Sequence, residues 1–243
     1  MTDRDLILFK HIVSSQENSL LKTLPEFLKK HYKKIYANEK FIYAVGEVPI
    51  LLVAHLDTVF SHPVRELYHD KEQHVLWSPQ GLGADDRAGV FAILEIIQRG
   101  YRPSILFTTQ EETGAKGAKF LLTKHRKPMS NFNFMIELDR QGYNDCVFYD
   151  LDNPDFEKYI SSFGFNVEVG IFSDITLIAP GWKIPGVNLS IGYQHEHSLG
   201  EVLHYDHMYE TIDKVCKILD AEKTENHKFT WKKYNVGSVL ENG

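Results

Sequence analysis

Apolar positions recur at helical spacing twice near the start of the chain, around Leu6 to Val13 and from Leu20 to Ile35. Both stretches predict helices, so 1–40 reads as a helical N-terminal part. The β-branched and aromatic run Phe41 to Val45 then leads through Gly46 and Pro49 to a second apolar run, Ile50 to Ala54. The unbroken apolar character of that second run suits a strand covered on both faces. Val90, Ile93, Leu94 and Ile97 return to helical spacing, and Gly100 ends that helix. Ile105 to Thr109, Phe134 to Leu138 and Val187 to Ile191 read as strands, and Cys146 to Tyr149 as an extended run. Ala118 to Lys124, Phe156 to Phe163 and the stretch carrying Met208, Ile212, Val215 and Leu219 read as helices. Strands alternating with helices predict an α/β sandwich around a mostly parallel sheet. No repeat, low-complexity tract or Pro/Gly-rich linker divides 1–243, which reads as one domain. Its tail, 225–243, sets Phe229, Trp231 and Tyr234 among polar residues, where they either pack on the domain or mediate association.

Composition narrows the classes. A chain of 243 residues with 43% hydrophobic and 25% charged residues is long enough for a large core. A net charge of −6 argues against a nucleic-acid-binding surface. Lys29, Lys30, Lys33 and Lys34 cluster at helical spacing and read as a solvated face. No apolar stretch approaches membrane-spanning length, and the charged N-terminus lacks a signal-peptide pattern, so a cytoplasmic protein is expected. Cys146 and Cys216 show neither metal-type spacing nor a disulfide framework. Nothing in the sequence marks an oligomeric state.

In α/β folds functional groups gather beyond the carboxyl ends of strands, and several runs here carry metal-ligand chemistry at such ends. Leu51-Leu-Val-Ala-His55-Leu-Asp57 places a histidine and an acid two residues apart, on one face of a strand. A carboxylate so placed can orient the imidazole and strengthen it as a ligand, although a polar histidine at a strand end has the same pattern. Gly81-Leu-Gly-Ala-Asp85-Asp86-Arg87-Ala-Gly89 reads either as a turn with a capping aspartate or as a ligand segment. Glu111-Glu112 follows a strand; two adjacent acids repel, and a metal or a shared proton would offset the repulsion. Met135-Ile-Glu137-Leu-Asp139-Arg140 again ends an apolar strand in an acid, with Glu137 a candidate solvent-facing residue. Tyr193-Gln-His195-Glu-His197 completes the series, one histidine reading as a ligand and the other as lining. Each piece has a structural explanation alone; their joint order argues for function.

Together, from His55 to Glu201, these segments resemble the co-catalytic di-zinc exopeptidases, which include peptidase T, carboxypeptidase-G-like enzymes and zinc aminopeptidases. The resemblance implies a three-layer α/β sandwich with a central mostly parallel, mixed sheet. It implies two Zn2+ ions, with Co2+ or Mn2+ tolerated by the same donors. His55 and Asp139 would hold one ion, Glu112 and His197 the other, and Asp85 would bridge them. The family motif places the bridging acid four residues before the glycine that here is Gly89, which selects Asp85 over Asp86. Asp57 would support His55, and Glu111 would be the general base. Tyr193 or His195 would face the developing oxyanion, Arg140 a substrate carboxylate, and Asp174 the substrate pocket. For these four, packing, bracing or helix capping are the competing readings. His62, His74, His204 and His207 read as surface or supporting residues.

The chain also departs from its relatives. Only 57 residues separate Asp139 from His197 and only 27 separate Asp57 from Asp85, too few for the lid or dimerisation domain that relatives insert at either place. The expected function is therefore hydrolysis of a small peptide or amide by a lidless metallo-exopeptidase, with an aminopeptidase favoured over a dipeptidase or N-acyl amino acid deacylase. A non-catalytic, metal-stabilised binding module and a single-metal acyltransferase are the competing classes.

Overall fold

The computed structural model describes residues 1–234, so part of the tail expected over 225–243 lies outside the described residues. The helices are α1 (Asp3–Val13), α2 (Glu17–Leu28), α3 (Ala84–Gln98), α4 (Lys116–Lys124), α5 (Pro154–Ser161), α6 (Ile175–Trp182) and α7 (Tyr205–Thr224). The first strands are β1 (Ile35–Ala37), β2 (Phe41–Ala44), β3 (Val48–His55), β4 (Tyr68–Asp70), β5 (Val75–Trp77) and β6 (Pro103–Thr108). The later ones are β7 (Phe134–Arg140), β8 (Asp145–Val147), β9 (Asn166–Val167), β10 (Gly186–Ser190), β11 (Tyr193–Gln194) and β12 (Val202–His204).

Eight strands form the main sheet in the order β1-β2-β6-β3-β7-β10-β8-β9. Its centre, β6-β3-β7-β10, is parallel, while β1, β2 and β8 join antiparallel. The mixed α/β sandwich expected from the sequence is thus present. On one face α1, α3 and α7 cover a core that includes Leu52, Phe91, Ile136 and Ile212; on the other α4 and α6 cover Leu51, Val53, Leu106 and Met135. Alternate residues of β3 feed opposite cores, which explains its unbroken apolar run. A small antiparallel sheet, β11-β12-β5-β4, stands apart from the main one.

Three expectations need correcting. The second N-terminal helix stops at Leu28, and Ile35 belongs to an edge strand instead. Leu20, Leu24 and Leu28 fill the core-facing stripe by then, and the chain must turn to pair β1 with β2. Lys29, Lys30, Lys33 and Lys34 are exposed, but they lie in the irregular connection rather than on a helix. Glu137 does not face solvent: it is fully buried, and the Ser173 hydroxyl donates to it. Both cysteines are buried and free. In the described part of the tail, Phe229 packs against Phe134 and Phe156, and residues 232–234 bond to Asp150 and Asp152. No described helix is long and apolar enough to cross a membrane.

Candidate metal centre

Because β3, β6, β7 and β10 run parallel, their carboxyl ends open on one edge of the sheet, and the segments that follow them meet there. His55 ends β3, Glu111 and Glu112 follow β6, Asp139 lies near the end of β7, and His197 follows β10 through β11. Asp85 arrives from the first turn of α3.

The distances define two groups that share one residue. His55 Nε2 lies 3.0 Å from Asp85 Oδ1 and 3.6 Å from Asp139 Oδ1. His197 Nε2 lies 3.1 Å from the other Asp85 oxygen, Oδ2, and 3.0 Å from Glu112 Oε2. The candidate ligand atoms of His55, Asp85 and Asp139 fall within 4.8 Å of one another, and so do those of Asp85, Glu112 and His197. Asp85 alone belongs to both, one carboxylate oxygen turned to each.

Backbone and neighbouring side chains fix these groups in place. Asp57 turns its carboxylate toward the paired glutamates, accepting the Glu111 N–H at 3.0 Å and the Glu112 N–H at 3.1 Å. Its Oδ1 is also 3.4 Å from His55 Nδ1. Asp86 points away from the shared position: it accepts the backbone N–H groups of His55 and Gly89, at 3.1 and 3.0 Å. A Cβ on Gly89 would lie 2.3 Å from the Leu138 carbonyl oxygen and 2.4 Å from Asp86, so only glycine lets α3 approach β7 this closely. Arg87, buried, donates to the Ile12 and Ser15 carbonyls and ties the end of α1 to α3.

Two supporting residues went unassigned in the sequence. Glu201 is buried and accepts the Gly83 N–H at 2.5 Å and the Asp85 N–H at 3.0 Å, so it shapes the turn that presents Asp85. Asn188 accepts the Asp139 N–H at 3.0 Å and donates to the Asp139 carbonyl at 2.7 Å. An amide side chain inside the mostly apolar run Val187 to Ile191, where Ser190 is the other polar residue, was the available signal for Asn188. Glu201 had none beyond its place among glycine and serine.

The four residues expected at the substrate separate. Tyr193 lines the cleft, but its hydroxyl donates to Asp139 Oδ1 at 3.2 Å, as a brace would. Arg140 lines the cleft with its Nε buried and, among the described residues, without a hydrogen-bond partner. His195 is exposed and absent from the cleft lining. Asp174 lies fully buried at the N-terminal boundary of α6, makes no capping bond, and accepts from the Thr108 hydroxyl.

Buried carboxylates and two imidazoles dominate the electrostatics of the site. Burial, reinforced by Asp85, pushes the Glu112 carboxyl up to about 7. Burial and the charge of Asp85 also raise Asp139 well above the ordinary carboxylate range. Asp85 itself is held low, because its hydrogen bonds to His197 and His55 outweigh its burial. The hydrogen bond to Asp85, with the charge of Glu112, pushes His197 up to about 9. Among the described residues Glu112 Oε1 is buried without a partner. Two imidazoles and three carboxylates at these spacings, with an orphaned oxygen among them, fit divalent transition-metal ions.

An α/β sandwich with such a donor set beyond its parallel strands defines a metallopeptidase of the co-catalytic exopeptidase kind. Residues 43–175, more than half of the chain, match the family described as Peptidase family M28, and the chain belongs to that family. No curated protein matches it. Among solved structures it is similar to aminopeptidase PepT from Bacillus cereus ATCC 10987, at 14% identity and a TM-score of 0.70, covering 91% of this chain and 99% of that one. A tripeptidase from Staphylococcus aureus subsp. aureus Mu50 follows at 16% identity and a TM-score of 0.69, covering 89% and 97%. A TET aminopeptidase from a marine sediment archaeon, Thaumarchaeota archaeon SCGC AB-539-E09, matches at 13% identity and a TM-score of 0.70, covering 90% and 97%. At these identities the likeness speaks for the fold.

Proposed function

We propose that this metallopeptidase is a two-zinc aminopeptidase acting on small peptides, its described residues working as one catalytic unit without a lid. The observation that carries the two-metal reading is Asp85, which offers one oxygen to His55 and Asp139 and the other to Glu112 and His197. These five residues would hold the ions, and Co2+ or Mn2+ would fit the same donors. A pair of such ions supplies Lewis acidity and water of lowered pKa.

The chain's own groups do the rest. Glu111, its N–H fixed by Asp57 and its carboxylate in the cleft, takes a proton from water at Oε and returns it to the leaving amine. Burial, with the charge of Asp85, raises its pKa. Asp57 holds the Glu111–Glu112 turn and the His55 ring in one arrangement. Tyr193 and Asn188 keep Asp139 facing inward.

The preference for a free amine follows from the lining of the cleft, which has a volume of about 680 Å³. Asp85, Glu111, Glu112, Asp139 and Glu196 line it, against the single guanidinium of Arg140. With Asp85, Glu112 and Asp139 committed to the ions and Glu111 to the proton, Glu196 is left to attract a protonated amine and Arg140 to meet the carboxylate of a short peptide. Solved proteins of this fold named as aminopeptidases agree with this reading. The alternatives are a dipeptidase, an N-acyl amino acid deacylase or a metal-stabilised binding module. Matched aminoacyl amides, free and N-acetylated, separate the aminopeptidase, the deacylase and the binding module on the zinc-loaded protein. Cleavage of the free-amine set alone supports the aminopeptidase; cleavage of only the acetylated set makes it a deacylase; cleavage of neither favours the binding module.

A further inference from the structure

A second group of potential metal ligands lies outside the centre described above, where β12 runs into α7. His204 ends β12, and Asp206 and His207 sit in the first turn of α7. Each brings one ligand atom, an imidazole nitrogen or a carboxylate oxygen, within 4.8 Å of the other two. We propose that His204, Asp206 and His207 form a further binding site for a divalent transition-metal ion, separate from the centre built on Asp85.

The arrangement is built rather than incidental. The rings of His204 and His207 stack with centroids 5.2 Å apart and planes at 25°. Tyr143 stacks on His207 at 4.2 Å and 29°, and its hydroxyl is held by Glu210 at 2.5 Å. The His207 ring is therefore restrained before any ion arrives, which lowers the ordering cost of binding. His207 Nδ1 is buried without a hydrogen-bond partner among the described residues, an unusual state for an imidazole nitrogen. From the other side the backbone presses close: a Cβ on Gly192 would lie 2.6 Å from the His204 carbonyl oxygen and 3.2 Å from the His207 Cβ.

Charge weighs both ways. The N-terminus of a helix disfavours a cation, and Asp206 supplies the negative charge that offsets it. His74 Nδ1 lies 3.5 Å from Asp206 Oδ2, which adds a further imidazole beside the group. Two nitrogens and one oxygen select zinc, nickel, copper or cobalt over magnesium or calcium, which prefer oxygen donors throughout. With three protein ligands, water would complete the coordination.

Zinc uptake by the full chain, read by equilibrium dialysis and elemental analysis, tests the site. The variants are His207→Ala, the more conservative His204→Gln, and Asp85→Ala, each checked for folding by circular dichroism. His207→Ala and His204→Gln should each bind one zinc ion per chain fewer than the parent and hydrolyse substrate at the parental rate. Asp85→Ala should lose ions of its own, and adding His207→Ala to it should remove one more. That last difference does not depend on the proposed function, so failure of the peptidase reading leaves it intact. Equal zinc uptake by the parent, His207→Ala and His204→Gln would overturn the proposal.

Discussion

Asp57 holds the Glu111 backbone: its Oδ1 accepts the Glu111 N–H at 3.0 Å while lying 3.4 Å from the His55 ring. One carboxylate thereby sets both the orientation of a candidate ligand and the position of the candidate base. Asp57→Asn keeps the shape but only one acceptor oxygen. The expected result is a fall in kcat/KM and in zinc affinity of about 10- to 100-fold, measured by steady-state kinetics and zinc titration. Unchanged values for both would show that Asp57 does not organise the site.

Glu201 shapes the Asp85 turn through two buried amides. Removing its carboxylate in Glu201→Ala leaves both N–H groups unsatisfied, a cost of about 1–3 kcal/mol, or roughly 2–12 °C in Tm for a chain of this size. Glu201→Gln retains an acceptor and should lose less. Thermal denaturation with and without zinc reads both variants; an unchanged Tm for Glu201→Ala contradicts the assigned role.

Stability without metal should fall as the solution becomes more alkaline. Burial raises Glu112, Glu201 and Asp174 to about 7, from ordinary values of 4.5, 4.5 and 3.8. The folded chain binds those protons more tightly than the unfolded one, so their contribution is present below the ordinary values and is lost as pH rises through about 7. His197, raised from 6.5 to about 9 chiefly by its hydrogen bond to Asp85, contributes below 6.5 and is lost as pH passes 9. Asp85 is held low and is ionised throughout this window. Zinc competes with the protons on Glu112 and His197, so its stabilisation should grow with pH. Differential scanning fluorimetry between pH 5.5 and pH 9, on the order of these pKa values, checks it. A zinc-induced shift that shrinks with rising pH is the contradicting result.

Asp85→Ala removes the one residue common to both ligand groups. Zinc bound at the centre should fall for both groups together, as read by titration against a chelator of known affinity. Two ions held there as tightly as in the parent would show that Asp85 is not shared.

The legible parts of the fold and site were those with short-range signals. The largely apolar strands β3, β6 and β7 lead into His55, Glu111 and Asp139, so the strand pattern also marked the edge where those residues meet. Asp85 could be preferred over Asp86 only through the spacing to Gly89 that relatives share; the structure shows Asp86 turned to the His55 and Gly89 amides. The small sheet was missed because β11 has two residues and β4, β5 and β12 three each, too few to establish a period. Helix α6 was missed because Pro180 and Gly181 interrupt its apolar run. Glu201 and Asn188 act on backbone groups far away in the chain, and no local pattern reports such a partner.

The most direct test of the metallopeptidase mechanism, with Glu111 as its base, is Glu111→Gln, assayed for zinc content and turnover in one preparation with a free-amine substrate. The account predicts zinc per chain equal to the parent and a loss of turnover of about 10²- to 10⁴-fold, because the fold and ligands remain while the proton acceptor is gone. Parental turnover in that variant, with zinc in place, would contradict it.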